Sequence, residues 1–141
     1  MTKSETQNVH VRDVMSRTPK TLGRNDQLSL ADDVMRAERI RHLPVLDDDG
    51  RLCGILSQRD MFRGALAQAL GYGTAAQQKM LTMLRVKEVM TTDVITTRPD
   101  MALAEAAKTM LERKMGCLPV MDGGRLVGIL TESDFVALVA R

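Results

Sequence analysis

The feature that most limits the fold of this chain is an internal repeat, because two halves with one pattern share one architecture. The pentad Val11–Met15 returns as Val86–Met90, an offset of 75 residues. One residue then drops out of an acidic turn, and Gly50–Ser57 returns as Gly124–Thr131 at an offset of 74. The 141 residues therefore contain two homologous units of about 60 residues each.

Each repeat has the same order of predicted elements. The pentad leads into a short β-prone run, at residues 19–22 and 94–97, and then into an amphipathic helix. Two apolar runs joined by an Asp/Gly turn predict a hairpin, and a second helix closes the repeat. Pro44 and Pro119 predict edge or first-residue strand positions. The fold class is α+β, with the order β-α-β-β-α occurring twice.

The repeat also sets the predicted domain boundaries. Residues 1–8 are expected to be a flexible N-terminal segment, residues 9–70 a first domain, and residues 86–141 a second. Residues 71–85 form a linker in which Gly71–Gly73 stops one helix and Thr74 opens a short one. Since about 60 residues with three short strands bury little surface alone, we expect the units to pack through their sheets about a pseudo-twofold axis.

Composition excludes several classes of function. The net charge of +2 does not favour a dedicated nucleic-acid binder, and with 2% aromatic residues a bound base must be held mostly by aliphatic side chains. Cys53 and Cys117 lie in apolar runs, which predicts buried free thiols, with a redox-sensing pair as the alternative. No zinc-binding spacing, signal peptide or 18-residue apolar stretch is present, so we expect a cytoplasmic protein without a metal or a membrane span.

The strongest local motif is a strand that ends in a hydroxyl residue, with an aspartate three positions on. It occurs as Ser57 with Asp60 and again as Thr131 with Asp134. One interpretation is a capping box that only begins a helix. The other is a ligand site, because a helix N-terminus favours phosphate and a carboxylate accepts both hydroxyls of a ribose.

The ordered set of motifs resembles a pair of cystathionine-β-synthase (CBS) domains. The resemblance rests on Leu-Pro-Val at 43–45 and 118–120, on Gly-Ile-Leu-Ser/Thr, and on Ser/Thr-x-x-Asp, and covers about residues 9–140. It implies a regulatory module without catalytic activity that binds AMP, ADP, ATP or S-adenosylmethionine in clefts between its two domains. It implies no obligatory cofactor, a homodimer, and a conformational signal to an unknown protein partner.

The resemblance also implies two sets of ligand-binding residues. The first set is Thr21, Leu22, Arg41, His42, Pro44, Ser57, Arg59 and Asp60. The second set is Ile95, Thr96, Gly116, Cys117, Pro119, Thr131, Ser133 and Asp134. In each set the aspartate binds ribose, the hydroxyl binds ribose or phosphate, and the residues near the β-prone run line the base pocket. A phosphate-rich ligand is expected to favour the clefts lined by the basic residues of the first set.

Other interpretations remain open at this point. The chain could be a ligand-free dimerisation or docking module, with methionine-rich surfaces at its interfaces. An enzyme is disfavoured because no nucleophile–base pair, metal set or oxyanion arrangement is readable. The run Asp47–Asp49 reads as a solvated hairpin turn, with a cation site as the weaker alternative.

Overall fold

The structure is a computed structural model, and it describes residues 8–68 and 74–141. The predicted flexible segment, apart from Asn8, and the predicted helix stop at Gly71–Gly73 lie outside the described residues. In chain order the strands and helices are β1 (Ser16–Arg17), β2 (Leu22–Gly23), α1 (Leu28–Glu38), β3 (His42–Leu46), β4 (Leu52–Ser57), α2 (Gln58–Gln68), α3 (Thr74–Met83), α4 (Leu103–Arg113), β5 (Cys117–Asp122), β6 (Arg125–Thr131) and α5 (Glu132–Val139).

These elements form two compact units. Among the described residues, the first unit contains those from Lys20 to Val94, and the second contains residues 8–19 together with Ile95–Arg141. The first has a sheet of order β2-β3-β4, with β2 parallel to β3 and β3 antiparallel to β4. The second has an antiparallel sheet of order β1-β6-β5. The predicted α+β class, with one hairpin in each repeat, is confirmed.

The first long helix of each repeat forms because apolar residues return at helical spacing. In α1 the side chains of Leu28, Ala31 and Met35 are buried. The equivalent residues of α4 are identical in type, Leu103, Ala106 and Met110, and are buried in the second unit. Both helices end at a residue in the left-handed conformation, Arg39 at φ 55° and Lys114 at φ 54°. Each buried stripe joins the side chains of its own sheet in one hydrophobic core.

The two leading segments, residues 9–17 and 84–92, are exchanged between the repeats. Segment 9–17 starts the first repeat but lies in the second unit, where Ser16 pairs with Ile129 of β6. Segment 84–92 starts the second repeat but lies in the first unit, where Thr91 and Ile55 exchange backbone hydrogen bonds of 2.9 Å in both directions. The compact units therefore differ from the sequence repeats in which leading segment each contains.

A methionine holds each leading segment against a glycine of the sheet. A Cβ atom on Gly54 would lie 2.5 Å from Met90 Sδ and 3.0 Å from the Thr91 carbonyl oxygen. A Cβ atom on Gly128 would lie 2.6 Å from Met15 Sδ and 2.9 Å from the Ser16 carbonyl oxygen. A side chain at either position would have to displace the methionine and the backbone of the segment, so glycine is favoured at both.

Two details differ from the sequence expectation. Residues 94–97 form no strand, and Thr97 makes only an isolated parallel bridge to Val120. Pro44 lies on β3, the middle strand of its sheet, rather than on an edge strand. It is tolerated because β2 is two residues long and pairs only with Val45 and Leu46, so β3 has no β2 partner at Pro44.

We expect Gly54→Ala and Gly128→Ala each to lower the free energy of unfolding by about 1–3 kcal/mol, because the added methyl group displaces the leading segment. Urea denaturation at fixed pH measures the change. Thr92→Ala, at an exposed position of the same segment, is the control and should stay within about 0.5 kcal/mol of the parent chain. Equal stability of the glycine variants and this control would contradict the close approach.

Candidate functional site

Each predicted set of ligand-binding residues lies within one compact unit. The first set, from Thr21 to Asp60, belongs to the first unit, and the second set, from Ile95 to Asp134, belongs to the second. We call the surroundings of the α2 start site one and those of the α5 start site two.

In site one five predicted residues lie at the start of α2, and Arg59 is the second residue of that helix. His42 and Ser57 are partners in the β3–β4 ladder. The backbone N–H of Gln58 donates to the Arg41 carbonyl oxygen at 2.8 Å. The backbone N–H of Asp60 donates to Ser57 Oγ at 3.0 Å, which is one half of a capping box. Arg41, His42, Ser57, Arg59 and Asp60 therefore lie at one helix N-terminus.

Site two repeats this geometry on different side chains. Cys117 and Thr131 are partners in the β5–β6 ladder, and the backbone N–H of Glu132 donates to the Gly116 carbonyl oxygen at 3.2 Å. The backbone N–H of Thr131 donates to Asp134 Oδ2 at 2.8 Å, the other half of a capping box. The hydroxyls of Thr131 and Ser133 lie 2.9 Å apart. Each repeat therefore has one of the two hydrogen bonds of a capping box. The carboxylate oxygens can accept further hydrogen bonds beside it.

Within the described part of the chain, the residues predicted to line a base pocket are not connected to the two aspartates by hydrogen bonds. Leu22 is buried in the first hydrophobic core, and Thr21 before it is exposed. Ile95 packs against the second core, and Thr96 beside it is exposed. Pro44 is buried on β3. Pro119 is buried on β5, and its carbonyl oxygen accepts the N–H of Thr97. The structure shows no hydrogen bond from the described side chains of these residues to Asp60 or Asp134.

Two hydroxyl residues that the sequence analysis missed reach the carboxylates. Thr91 Oγ1 donates to Asp60 Oδ2 at 3.4 Å, and Ser16 Oγ donates to Asp134 Oδ1 at 3.4 Å. Both hydroxyls come from the exchanged leading segments, so each carboxylate is met by the other repeat. The signal in the sequence was a hydroxyl residue directly after each Val-Met pair, at the shared offset of 75.

The acidic turn between β3 and β4 has a structural role. Asp47 Oδ1 accepts the backbone N–H groups of Asp49 and Arg51, each at 2.9 Å. This arrangement is a side-chain-stabilised turn. Among the residues that the structure describes, no three His, Cys, Asp or Glu side chains are grouped to hold a metal ion. Within the same ranges no helix is long and apolar enough to cross a membrane.

Both cysteines are free thiols in different surroundings. Cys117 is buried on β5, and Cys53 is half-buried on β4. Burial raises the pKa of the Cys117 thiol to about 12, and the Glu132 carboxylate adds to the increase. Burial, followed by the Asp47 carboxylate, also raises the pKa of Cys53. Both effects keep the thiols protonated at neutral pH, which disfavours a reactive thiolate.

Together, a duplicated α+β repeat and an aspartate at the start of each final helix define the class of protein as a paired domain. The CBS domain family model matches residues 11–66 and again residues 86–141, so the chain belongs to the CBS domain family. The chain is 32% identical over 134 residues to a CBS domain-containing protein of Dictyostelium discoideum, covering 94% of this chain and 92% of that one.

Other relatives are longer than this chain. It is 32% identical over 132 residues to a homoserine O-acetyltransferase of Methanohalophilus mahii, covering 93% of this chain but 24% of that protein. The chain therefore spans about a quarter of that enzyme's length.

Solved structures share the fold. The AcuB protein of Vibrio cholerae is 39% identical with a TM-score of 0.78, covering 94% of this chain and 90% of that one. The CBS domain pair of protein MJ0100, solved with 5'-methylthioadenosine and S-adenosyl-L-methionine, is 30% identical with a TM-score of 0.76, covering 94% and 96%. CBSX2 in complex with AMP is 26% identical with a TM-score of 0.75, covering 94% and 97%.

The raised pKa of Cys117 predicts a loss of stability at high pH. Because an unfolded cysteine ionises near its ordinary pKa and the folded thiol does not until about 12, unfolding releases a proton between these values. The free energy of unfolding should therefore fall as pH rises from about 9 to 12. Urea titrations across this range should show a shallower fall for Cys117→Ala than for the parent chain. Equal slopes would contradict the assigned burial of the thiol.

Proposed function

We propose that this chain is a regulatory module that binds an adenosine-containing ligand, AMP, ADP, ATP or S-adenosylmethionine, at Asp60 and at Asp134. The proposal assigns it no catalytic reaction, and places it in the cytoplasm as a homodimer that signals to a protein partner. The observation that carries it is the repeated carboxylate at a helix start, each with a hydroxyl group 3.4 Å away.

The chemistry of these carboxylates suits a ribose. An ionised carboxylate has about four acceptor positions and accepts hydroxyl groups in bonds of about 2.5–2.7 Å. The existing bonds from Thr91 to Asp60 and from Ser16 to Asp134 are long, hence weak, at 3.4 Å. A ribose diol that makes short bonds can therefore bind the same oxygen atoms or displace these hydroxyl groups.

The structural relatives support the ligand class. One CBS domain pair was solved with 5'-methylthioadenosine and S-adenosyl-L-methionine, and another with AMP. These ligands share an adenosine, which contains the ribose that the carboxylates are proposed to bind. The ligands differ in the group at the 5' position. The residues beside each carboxylate therefore decide which of these ligands this chain binds.

The course of the chain offers a route for a signal. The chain passes from the second unit to the first after Pro19, three residues beyond Ser16. It returns after Val94, three residues beyond Thr91. A ligand that changes the hydroxyl contact at one site therefore acts close to one of these connections. It can shift the equilibrium between two conformations only by the difference between its affinities for them.

A ligand-free docking module is the second candidate. It is favoured by large apolar side chains that lie on the surface of the second unit, where Leu111 is 80% exposed, Val136 69% and Val139 72%. Such residues are typical of protein contact surfaces when they form a continuous patch. This candidate predicts no effect of adenosine ligands on the protein.

We expect Asp60→Ala and Asp134→Ala each to weaken binding of an adenosine ligand at its own site about tenfold or more, because the charge-assisted bonds to ribose are lost. Isothermal titration calorimetry with AMP and with S-adenosylmethionine, on protein freed of co-purified nucleotide, measures this. Asp33→Ala, which removes an exposed carboxylate from α1, is the matched control.

Thermal unfolding supplies an independent readout. A ligand at 100 times its dissociation constant adds about 2.7 kcal/mol of stability, about 5–10 °C in the midpoint for a chain of this size. Absence of any shift with the parent chain, or a shift in both aspartate variants as large as that of the parent chain, would contradict ribose binding and favour the docking module.

The exchanged leading segments predict effects that cross between the repeats. Ser16→Ala should tighten binding about threefold at the Asp134 site, and Thr91→Val at the Asp60 site, because each variant removes a hydroxyl group that competes with ribose for the carboxylate. Calorimetry on double variants tests the crossing. Ser16→Ala should be additive with Asp60→Ala and non-additive with Asp134→Ala. The opposite pattern would contradict the exchange, and Ser16→Thr should retain binding.

A further inference from the structure

The two proposed sites differ in charge at equivalent positions. The residues around the first turn of α2 are Arg41, His42, Gln58 and Arg59. The equivalent residues around the first turn of α5 are Gly116, Cys117, Glu132 and Ser133. Site one therefore has two arginines at these positions. Site two has no cation at these positions and one additional carboxylate.

The structure places these differences directly at the helix starts. The first residue of α2, Gln58, donates its N–H to Arg41. The first residue of α5, Glu132, donates its N–H to Gly116. In both units the third helical residue is the aspartate proposed to bind ribose, Asp60 or Asp134. Arg59 is one residue from Asp60 and Glu132 is two residues from Asp134, whereas Arg41 reaches the start of α2 through its backbone carbonyl.

Neighbouring side chains do not cancel these charges. Within residues 8–68 and 74–141, the ion pairs involve neither Arg41 nor Arg59, and both residues are exposed. Glu132 is also exposed and pairs with no cation in the same ranges. The Glu132 carboxylate adds to the effect of burial in raising the pKa of the Cys117 thiol.

We infer that the two sites select adenosine ligands by the charge of the 5' substituent. Site one takes a ligand with a 5'-phosphate, because Arg41 and Arg59 attract an anion beside a helix N-terminus. Site two takes a ligand with a neutral or cationic 5' group, such as a thioether or a sulfonium, because Glu132 and Asp134 repel phosphate. This inference rests on the proposed function and divides its ligand class between the sites.

The expected discrimination follows from Coulomb's law. A unit charge about 5 Å from the 5' group changes affinity about fourfold in a water-like dielectric, and more where the site excludes water. Three formal charges differ between the sites, so we expect the preference for AMP over S-adenosylmethionine to differ at least tenfold. The difference should shrink as salt rises from about 0.05 M to 0.5 M, because the Debye length falls.

The experiment uses full-length chains in which one site has been disabled. Asp134→Ala leaves site one, and Asp60→Ala leaves site two. Calorimetry with AMP, 5'-methylthioadenosine and S-adenosylmethionine should show AMP as the tightest ligand of site one. It should show 5'-methylthioadenosine or S-adenosylmethionine as the tightest ligand of site two. If an alanine variant does not fold, the corresponding asparagine variant takes its place.

Charge variants then test the cause. In the chain with site two alone, Glu132→Gln should tighten AMP at least threefold and weaken S-adenosylmethionine. Glu105→Gln, the same change in the first turn of α4, is the matched control and should alter neither. In the chain with site one alone, Arg59→Ser should weaken AMP and leave 5'-methylthioadenosine unchanged. Arg63→Ser, one turn further along α2, should have a smaller effect.

The possible failures are distinguishable. The same order of ligands at both sites, or equal effects of Glu132→Gln on AMP and S-adenosylmethionine, would overturn charge selection while ribose binding stands. Preferences that do not change with salt would overturn its electrostatic cause. No binding of any adenosine ligand by the parent chain, or binding that neither aspartate variant alters, would overturn the proposed function, and charge selection with it.

Discussion

The close approach of a leading segment to a glycine of the sheet is the constraint on which both units depend. A Cβ at Gly54 or Gly128 would lie within 2.6 Å of a methionine sulfur, so a larger residue there would displace the segment. When the segment lies against the sheet, Thr91 pairs with Ile55 in one unit and Ser16 with Ile129 in the other. Each unit thereby combines the sheet of one repeat with the leading segment of the other, and neither repeat is complete by itself.

The same contact sets the composition of the ligand sites. Because the leading segments are exchanged, the hydroxyl group that meets each carboxylate comes from the other repeat. The helix start, the aspartate and the strand-end hydroxyl are local products of the sequence. The Ser16 and Thr91 hydroxyls arrive only through long-range packing. Under the proposed function, ligand binding and the two connections between the units depend on the same short segments.

The sequence predicted what is local and repeated. The buried stripes of α1 and α4, the two hairpins and the hydroxyl-x-x-aspartate helix starts follow from periodicity and turn residues, and the structure contains them. The exchange was not predictable, because a sequence repeat assigns Val11–Met15 to its own half whereas packing assigns it to the other. Residues 94–97 look β-prone but form only a bridge at Thr97. The partners of Asp60 and Asp134 were missed for the same reason, since the hydroxyl residue after each Val-Met pair is visible in the sequence but the carboxylate that it contacts is not.

The central claim is that Asp60 and Asp134 bind the ribose of an adenosine ligand. The most direct measurement is a crystal structure of the chain grown with AMP and 5'-methylthioadenosine. The account predicts ribose hydroxyl oxygens about 2.5–2.7 Å from the carboxylate of Asp60, Asp134 or both. A ligand bound with its ribose away from both carboxylates, or crystals with no ligand at concentrations that saturate related CBS domain pairs, would contradict it.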